Sequence, residues 1–293
     1  MRSTAPLVTT ALCAVCLHTA PASAEMTVID EDAHFAEGPV VVDDVLYYVE
    51  YAGQTLMRWD GALAEVWRRD GCGPSAALPF QEGFLIACYD SGEIVHVSMK
   101  GETLAVVARD VAGDEFVGPN DFTSDSDGGA WMTASGPWAS GPIEGVVYHV
   151  GEDLTVRPAA DDLHYANGIA LNGNTLYVAE SEAARVVAFD VGADSELSNR
   201  RLFARVGQLD EKSGPWAYPD GLEVGPEGNL WIASYSMGRL VAVSPEGSFV
   251  KAMDVPAATA PNLAFGSDGV MYVVTVDQTD APPYAGKVYR IAD

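Results

Sequence analysis

The amino-acid sequence predicts an all-β fold, a six-bladed β-propeller closed by its N-terminal strand. Three observations carry that prediction. Short alternating runs bounded by Gly, Pro, Asn and Asp fill the 293-residue chain, which holds 29 Gly and 17 Pro and no long amphipathic helical pattern. One apolar run type recurs six times, at the spacing of a four-stranded unit of about 40–50 residues. The sixth repeat has no room for a fourth strand, while the N-terminal end has a strand to spare.

Residues 1–24 read as a secretory signal peptide. Arg2 gives a positive start, Ala5 to Leu17 is mostly small and apolar, and Ala22-Ser23-Ala24 fits a small-x-small cleavage site. The apolar part is too short to span a bilayer as a helix. Residues 25–293 then form a single propeller domain, periplasmic or secreted, with no membrane contact after cleavage. Loss of Met1–Ala24 removes one Arg and no acid, so the formal charge moves from −26 to −27. That balance disfavours nucleic acid and anionic membranes, which need positive charge at the contact. Cys72 and Cys88 remain after cleavage. Pairing about the Gln81–Gly83 turn brings both toward one end of a hairpin but not into direct register, so a disulfide and two buried thiols both stay open.

The repeated runs are Leu46–Val49, Phe84–Ala87, Ala130–Thr133, Leu176–Ala179, Leu230–Ala233 and Met271–Val274. Their second residues, 47, 85, 131, 177, 231 and 272, lie 38, 46, 46, 54 and 41 apart. Each is followed by a third strand, such as Ile94–Val97 or Leu240–Val243, and usually by a fourth, such as Phe249–Met253. Met26–Ile29 supplies the outer strand that the sixth repeat lacks, which closes the ring and removes open edges.

The strand before each run is the one nearest a propeller's central channel. Stepping back 10 or 11 residues from each run's second residue reaches Glu37, Ser75, Asn120, Asn167, Asp220 and Asn262. Asp and Asn beside Gly or Pro are ordinary turn residues. Five carboxylate or carboxamide side chains at one repeat-equivalent position are harder to assign to turns, and such groups repel unless a cation neutralises them. The set predicts one divalent metal at the channel mouth. Its oxygens favour Ca²⁺; Mg²⁺ and Mn²⁺ suit the same donors, and Zn²⁺ suits them least.

Ala36-Glu37-Gly38-Pro39, Pro119-Asn120-Asp121, Ala166-Asn167-Gly168-Ile169-Ala170, and Pro219-Asp220-Gly221 with Gly228-Asn229-Leu230-Trp231 together resemble the SMP-30/gluconolactonase/LRE-like family, over essentially the whole mature chain. The resemblance implies a six-bladed propeller with metal ligands at Glu37, Asn167 and Asp220, and Asn120 touching the metal, its water or the substrate. It implies hydrolysis of a lactone or lactone-like ester, and relatives act on organophosphates. Sugar-lactone members often carry Arg two residues before the Asn matching Asn120. Here that residue is Gly118, so the resemblance extends to lactones and esters in general rather than to an aldonolactone.

Asp220 is the first choice for proton transfer from water, with Asp121 as a second candidate base or substrate-hydroxyl acceptor. His164, three residues before Asn167, and the tryptophans of two Ser-Gly-Pro-Trp copies, Trp138 and Trp216, are candidate substrate-binding residues; loop packing explains each equally simply. His96 and His149 fall in third strands and read as structural. Trp131 and Trp231 read as core, and Asp125-Ser126-Asp127-Gly128 as a hairpin turn. No nucleophile elbow, P-loop or dinucleotide fingerprint is found. The expected function is metal-dependent hydrolysis of a small lactone or ester. The alternatives are a non-catalytic ligand-binding propeller with a structural metal, or phosphotriester hydrolysis at the same site.

Overall fold

A computed structural model describes residue 1 and residues 25–138 and 143–292. The expected signal peptide lies, but for Met1, outside the described residues. Among the described residues no helix is long and apolar enough to cross a membrane. Strands dominate the described residues, and the single α-helix among them is one turn, Val206–Leu209.

The first antiparallel meander is Ala36–Val42, Val45–Glu50, Thr55–Trp59 and Leu63–Arg68. The second is Pro74–Phe80, Gly83–Cys88, Glu93–Ser98 and Thr103–Val107. The third runs Pro119–Ser124, Ala130–Ala134, Gly145–Val150 and Val156–Leu163, and the fourth Ala166–Asn172, Thr175–Glu180, Arg185–Val191 and Leu197–Ala204. Each of these is a separate four-stranded sheet. The last seven strands and the first strand of the chain form one eight-stranded sheet. Within it, Pro219–Val224, Leu230–Ser234, Arg239–Val243 and Phe249–Asp254 meander as before. Thr259–Phe265, Met271–Val276 and Ala285–Ala292 follow, and Glu25–His34 pairs antiparallel with the last of them, Val28 opposite Tyr289. The architecture is all-β and propeller-like. It differs from six separate sheets because one residue pair, Ser234 with Ala260, bridges two meanders where the chain bulges between Thr259 and Asn262.

The second strand of each meander is buried on both faces, which is why it reads as a continuous apolar run rather than a strict alternation. Alternate side chains serve opposite neighbours. Tyr47 packs with Ala77, Phe84 and Ile86 of the second meander, while Tyr48 packs with Val274 and Val288 at the chain's other end. Trp131 packs between the third and fourth meanders and Trp231 against Leu263 and Val273, the core positions expected of both. Each fully buried side chain of this kind contributes roughly 1.5–3 kcal/mol. The first strands pack against one another in cyclic order, Thr259–Phe265 returning to Ala36–Val42, and so ring a central channel.

Cys72 and Cys88 are joined by a disulfide, with Cα atoms 4.6 Å apart. The offset from direct register does not prevent the bond, because Cys72 precedes the strand pair that sets Pro74 opposite Cys88. The closed loop spans 16 positions and on the chain-entropy account stabilises the fold by roughly 3 kcal/mol. It also fixes the entry to the strand carrying Ser75 and the position of Tyr89, whose N–H donates to Gly73.

Candidate functional site

The strand register separates the channel-facing side chains into tiers. Glu37, Ser75, Asn120, Asn167 and Asp220 occupy one equivalent position and line one cavity. Asn262 does not belong to this tier. Its pairing opposite Val274 sets Leu263 opposite Val273, as Phe122 is opposite Met132, so the mouth position of the last meander is Pro261. The error of one residue arises in the hairpins. The first, second and fourth turn in two residues, after Val42, Phe80 and Asn172, whereas the third, fifth and sixth use five-residue loops at 125–129, 225–229 and 266–270. The longer loops require a step of 11 residues; the sixth was reached with 10. The 125–129 stretch is thus a turn as expected, its Asp125 bonded to His149 at 2.7 Å.

The tier below is Gly38, Ala76, Asp121, Gly168, Gly221 and Asn262. Its glycines are strand residues rather than turn residues, and they serve close approach of neighbouring strands. A Cβ on Gly38 would lie 2.3 Å from the Cα of Ala76, and one on Gly168 would lie 2.1 Å from the carbonyl oxygen of Asp220. The small residue after Glu37, Ser75, Asn167 and Asp220 is therefore what lets the mouth side chains converge.

Two of the mouth amides are oriented by serines. Asn120 Nδ2 donates to Ser135 Oγ at 2.9 Å, and Ser135 Oγ donates to the Ala166 carbonyl at 2.7 Å. Asn167 Nδ2 donates to Ser181 Oγ at 3.2 Å, and Ser181 Oγ donates to the Pro219 carbonyl at 2.7 Å. Each hydroxyl proton is committed to a backbone carbonyl, so the hydroxyl accepts from the amide nitrogen. The amide oxygens are left for another partner. Sequence reasoning missed Ser135 and Ser181, although both stand four residues after the second residue of a repeated run.

Burial pushes the Glu37 carboxyl well above the usual carboxylate range, and the charges of Asp220 and Asp121 push it further. Burial also raises Asp220, with Asp121 adding to the effect and Asn167 opposing it. No Lys, Arg or His among the described residues lines the cavity. Among the described residues no three His, Cys, Asp or Glu side chains cluster as metal ligands. The donor set is instead two carboxylates, Glu37 and Asp220, with the amide oxygens of Asn120 and Asn167. Hard oxygen donors bearing two uncompensated negative charges fit a divalent cation of the Ca²⁺ or Mg²⁺ type.

Deeper in the channel, burial raises Asp121 to about 7. Burial and the Asp121 charge raise the half-buried Glu223 to about 8. A carboxyl whose pKa is raised on folding holds a proton that the unfolded chain releases, so its contribution to stability is complete below the unfolded value, about 4.3 for Glu, and is lost as pH rises through the folded value. Thermal melts of chelator-treated protein are expected to fall between pH 5 and pH 9, and Glu223→Gln to reduce that fall. Equal falls for parent and variant would show that Glu223 does not titrate in this range.

Above the mouth lies a cavity of about 480 Å³ walled by aromatic rings. Their contacts form a closed circuit. Phe35 meets Tyr51 at 5.3 Å and Tyr51 meets Tyr89 at 6.4 Å between ring centroids. The hydroxyls of Tyr89 and Tyr165 are 3.0 Å apart. Trp138 meets Tyr165 at 4.8 Å and Tyr235 at 6.2 Å, and Tyr235 stacks on Phe35 at 6.2 Å. Two repeat positions supply most of this collar. Tyr51, Tyr89 and Tyr235 follow second strands, equivalent to Ser135 and Ser181. Phe35, Tyr165 and Tyr218 stand two residues before a mouth residue, with φ of 54°, 59° and 34°. Gly73 and Gly118 hold the same left-handed conformation at the equivalent positions. Bulky residues adopt it at a cost of about 1–2 kcal/mol.

Of the residues singled out by sequence, Glu37, Asn120, Asn167, Asp220 and Trp138 line the cavity. Asp121 sits one tier below, its Oδ1 accepting from the Phe122 N–H at 2.8 Å. His164 is half-buried outside the cavity lining, its backbone N–H donating to Glu180. Trp216, 64% exposed, is also outside it. His96 packs edge-on to Phe80 and His149 to Trp131, away from the mouth.

Comparison with known proteins gives three results. The model of the SMP-30/Gluconolactonase/LRE-like region matches residues 35–277. Regucalcins of Xenopus laevis and Homo sapiens are 27% and 25% identical to this chain, each alignment covering 90% of it and 92% of the relative. Among solved structures, a gluconolactonase of Xanthomonas campestris superposes with a TM-score of 0.76 at 21% identity, covering 92% of this chain and 90% of that one. A calcium-binding protein, regucalcin, of Agrobacterium tumefaciens superposes with a TM-score of 0.74 at 19% identity, covering 90% and 92%. These structural likenesses establish the fold.

Proposed function

Because this chain belongs to the SMP-30/gluconolactonase/LRE-like family, we propose that it is a metal-dependent hydrolase of a lactone or lactone-like ester. One observation carries the reading: a buried and a half-buried carboxylate and two serine-oriented amides converge on the floor of a single aromatic-walled cavity that no basic side chain lines among the described residues. We count the eight-stranded sheet as two blades touching at Ser234 and Ala260, which gives six blades closed by Glu25–His34. The disulfide suits an oxidising compartment, in keeping with a periplasmic or secreted protein.

Glu37, Asn120, Asn167 and Asp220 would hold the cation, with Ca²⁺ favoured by the donor chemistry. Once bound, it would supply Lewis acidity toward the ester carbonyl and lower the pKa of water. Asp220, the buried carboxylate with one face on the cavity, accepts the proton of the attacking water. The water oxygen bonds to the carbonyl carbon, the ring C–O bond breaks, and the departing ring oxygen takes that proton back from Asp220, so one water is consumed and a hydroxy acid is formed. Asp121 acts from the tier below by keeping Glu37 and Asp220 hungry for positive charge. Asn120 orients the substrate, and Ser135 keeps its amide oxygen forward.

A second reading, a cation-holding binder without turnover, draws on the calcium-binding description of the Agrobacterium relative. Protein stripped with chelator and reloaded with Ca²⁺ is to be assayed on a panel of lactones and aryl esters. Turnover that disappears on chelation and returns with the cation is expected. Thermal stabilisation by the cation with no turnover of any ester would sink the hydrolase reading in favour of the binder.

A further inference from the structure

The collar bears on which molecule enters the cavity, a question that rests on the hydrolase reading and goes beyond it. Among the described residues the only charged side chains lining the cavity are Glu37 and Asp220, and the cation that the site would hold offsets them. A carboxylate or phosphate on the far side of the substrate would meet no counter-charge there, within a protein of net charge −26. Of the six tyrosines lining the cavity, three have engaged hydroxyls, while those of Tyr218, Tyr235 and Tyr284 have no hydrogen-bond partner among the described residues. Tyr51 Oη donates to Asp90 at 2.8 Å, and the Tyr89 and Tyr165 hydroxyls bond to each other. These side chains therefore present ring carbon rather than hydrogen-bonding groups. At Gly118 even a Cβ would lie 2.8 Å from the Tyr89 ring, so the collar leaves no room there for a polar side chain. Phe35, Tyr165 and Tyr218 are kept aromatic in left-handed backbone, where glycine would fit without strain. Trp138, 62% exposed, lies across the rim between Tyr165 and Tyr235.

We infer that the site takes an uncharged lactone or ester carrying an aromatic substituent, which stacks inside the collar between Trp138 and Phe35, and that it discriminates against anionic lactones. The reacting ester lies on the mouth residues, and the substituent takes the place of water against the rings. Offset or edge contacts with two such rings are each worth a few-fold, or about tenfold together.

The Ca²⁺-loaded protein is to be given δ-phenyl-δ-valerolactone, δ-valerolactone, glucono-δ-lactone and its 6-phosphate. All four are six-membered rings with alkoxide leaving groups, and each rate is divided by that of uncatalysed hydrolysis. The corrected kcat/KM is expected to be highest for the phenyl lactone, by about tenfold over δ-valerolactone and by more over the 6-phosphate. Trp138→Ala is expected to shrink the phenyl-to-unsubstituted ratio about fivefold, and Trp138→Phe to restore most of it. A corrected preference for either sugar lactone, or a ratio that Trp138→Ala leaves unchanged, overturns the inference while the hydrolase reading survives. Calorimetry with the corresponding lactams, which have no ester to cleave, separates the two claims. Tighter binding of the phenyl lactam with no turnover of any lactone keeps the collar assignment and sinks the hydrolase. Equal or weaker binding of the phenyl lactam than of gluconolactam sinks the collar assignment.

Discussion

Asp220→Asn is expected to lower kcat/KM on any lactone that the parent cleaves by at least about 10³-fold, the scale of losing both a cation's polarisation and a proton acceptor. The same substitution is expected to stabilise the cation-free protein. Asp220 raises the Glu37 carboxyl by its charge and is itself 5% exposed, so the neutral amide removes a repulsion that only a cation or a proton otherwise relieves. Ca²⁺ should then stabilise the variant far less than the parent. The two effects point in opposite directions, and few structural defects could mimic that. Calorimetric Ca²⁺ titration and melts with and without chelator check the point. Parent-like cation affinity with parent-like turnover in Asp220→Asn would remove Asp220 from the mechanism.

The second large effect is expected at Gly168. Its φ is not in the left-handed region, so Ala is locally acceptable there, and the obstacle lies in the neighbouring strand. The added Cβ would meet the Asp220 carbonyl oxygen at 2.1 Å and the Leu222 amide nitrogen at 2.6 Å, both backbone atoms in the strand that carries Asp220. Gly168→Ala should therefore cost about 3 kcal/mol by overpacking and push Asp220 out of place, with loss of cation affinity. Gly192→Ala is the control, because its nearest contact is Glu196 O at 3.5 Å and its φ of −93° suits any residue. Urea unfolding reads the first quantity and Ca²⁺ titration the second. Equal midpoints for the two variants would mean that the inner strands are free to separate, and that the small residues of the second tier are not what sets the mouth.

The sequence made much of this legible because the repeat converts weak local signals into a strong joint one. Pro-Asp-Gly at Pro219–Gly221 is ordinary turn chemistry by itself, and only its alignment with Glu37, Asn120 and Asn167 marks Asp220 as a mouth residue. The same logic failed at Asn262 because the spacing was counted through hairpins of two lengths, and one residue of slip on a strand changes the tier. The glycines after Glu37, Asn167 and Asp220 were open to misreading for another reason. Close approach between strands far apart in sequence leaves no local trace that distinguishes it from a turn. The collar was half visible. Tyr51, Tyr89, Ser135, Ser181 and Tyr235 all fall four residues after a repeated run's second residue, a pattern as regular as the mouth itself. Its aromatic members at Phe35, Tyr165 and Tyr218 depend on positive φ, which side-chain identity does not announce. Trp138 and Trp216 come from the same tetrapeptide, yet only Trp138 faces the cavity, because the loops bearing them leave different strands.

The pairing of Glu25–His34 with Ala285–Ala292 has a consequence for how the molecule comes together and comes apart. Val28 and Tyr289, directly opposed, are 261 residues apart in the chain (289 − 28). Bringing such distant segments together costs about 5 kcal/mol of chain entropy by the logarithmic loop law, before any contact across the seam repays it. Most other strand pairs join neighbours in sequence, so the meanders can assemble locally and the seam is expected to zip last and open first. An opened seam bares the long edge of Ala285–Ala292, and the segment that best complements that edge is Glu25–His34 of a second molecule. Intermolecular exchange of this one strand is therefore the misassembly to which the ring is most exposed, and the two bulges within the seam, by interrupting a continuous ladder, work against it.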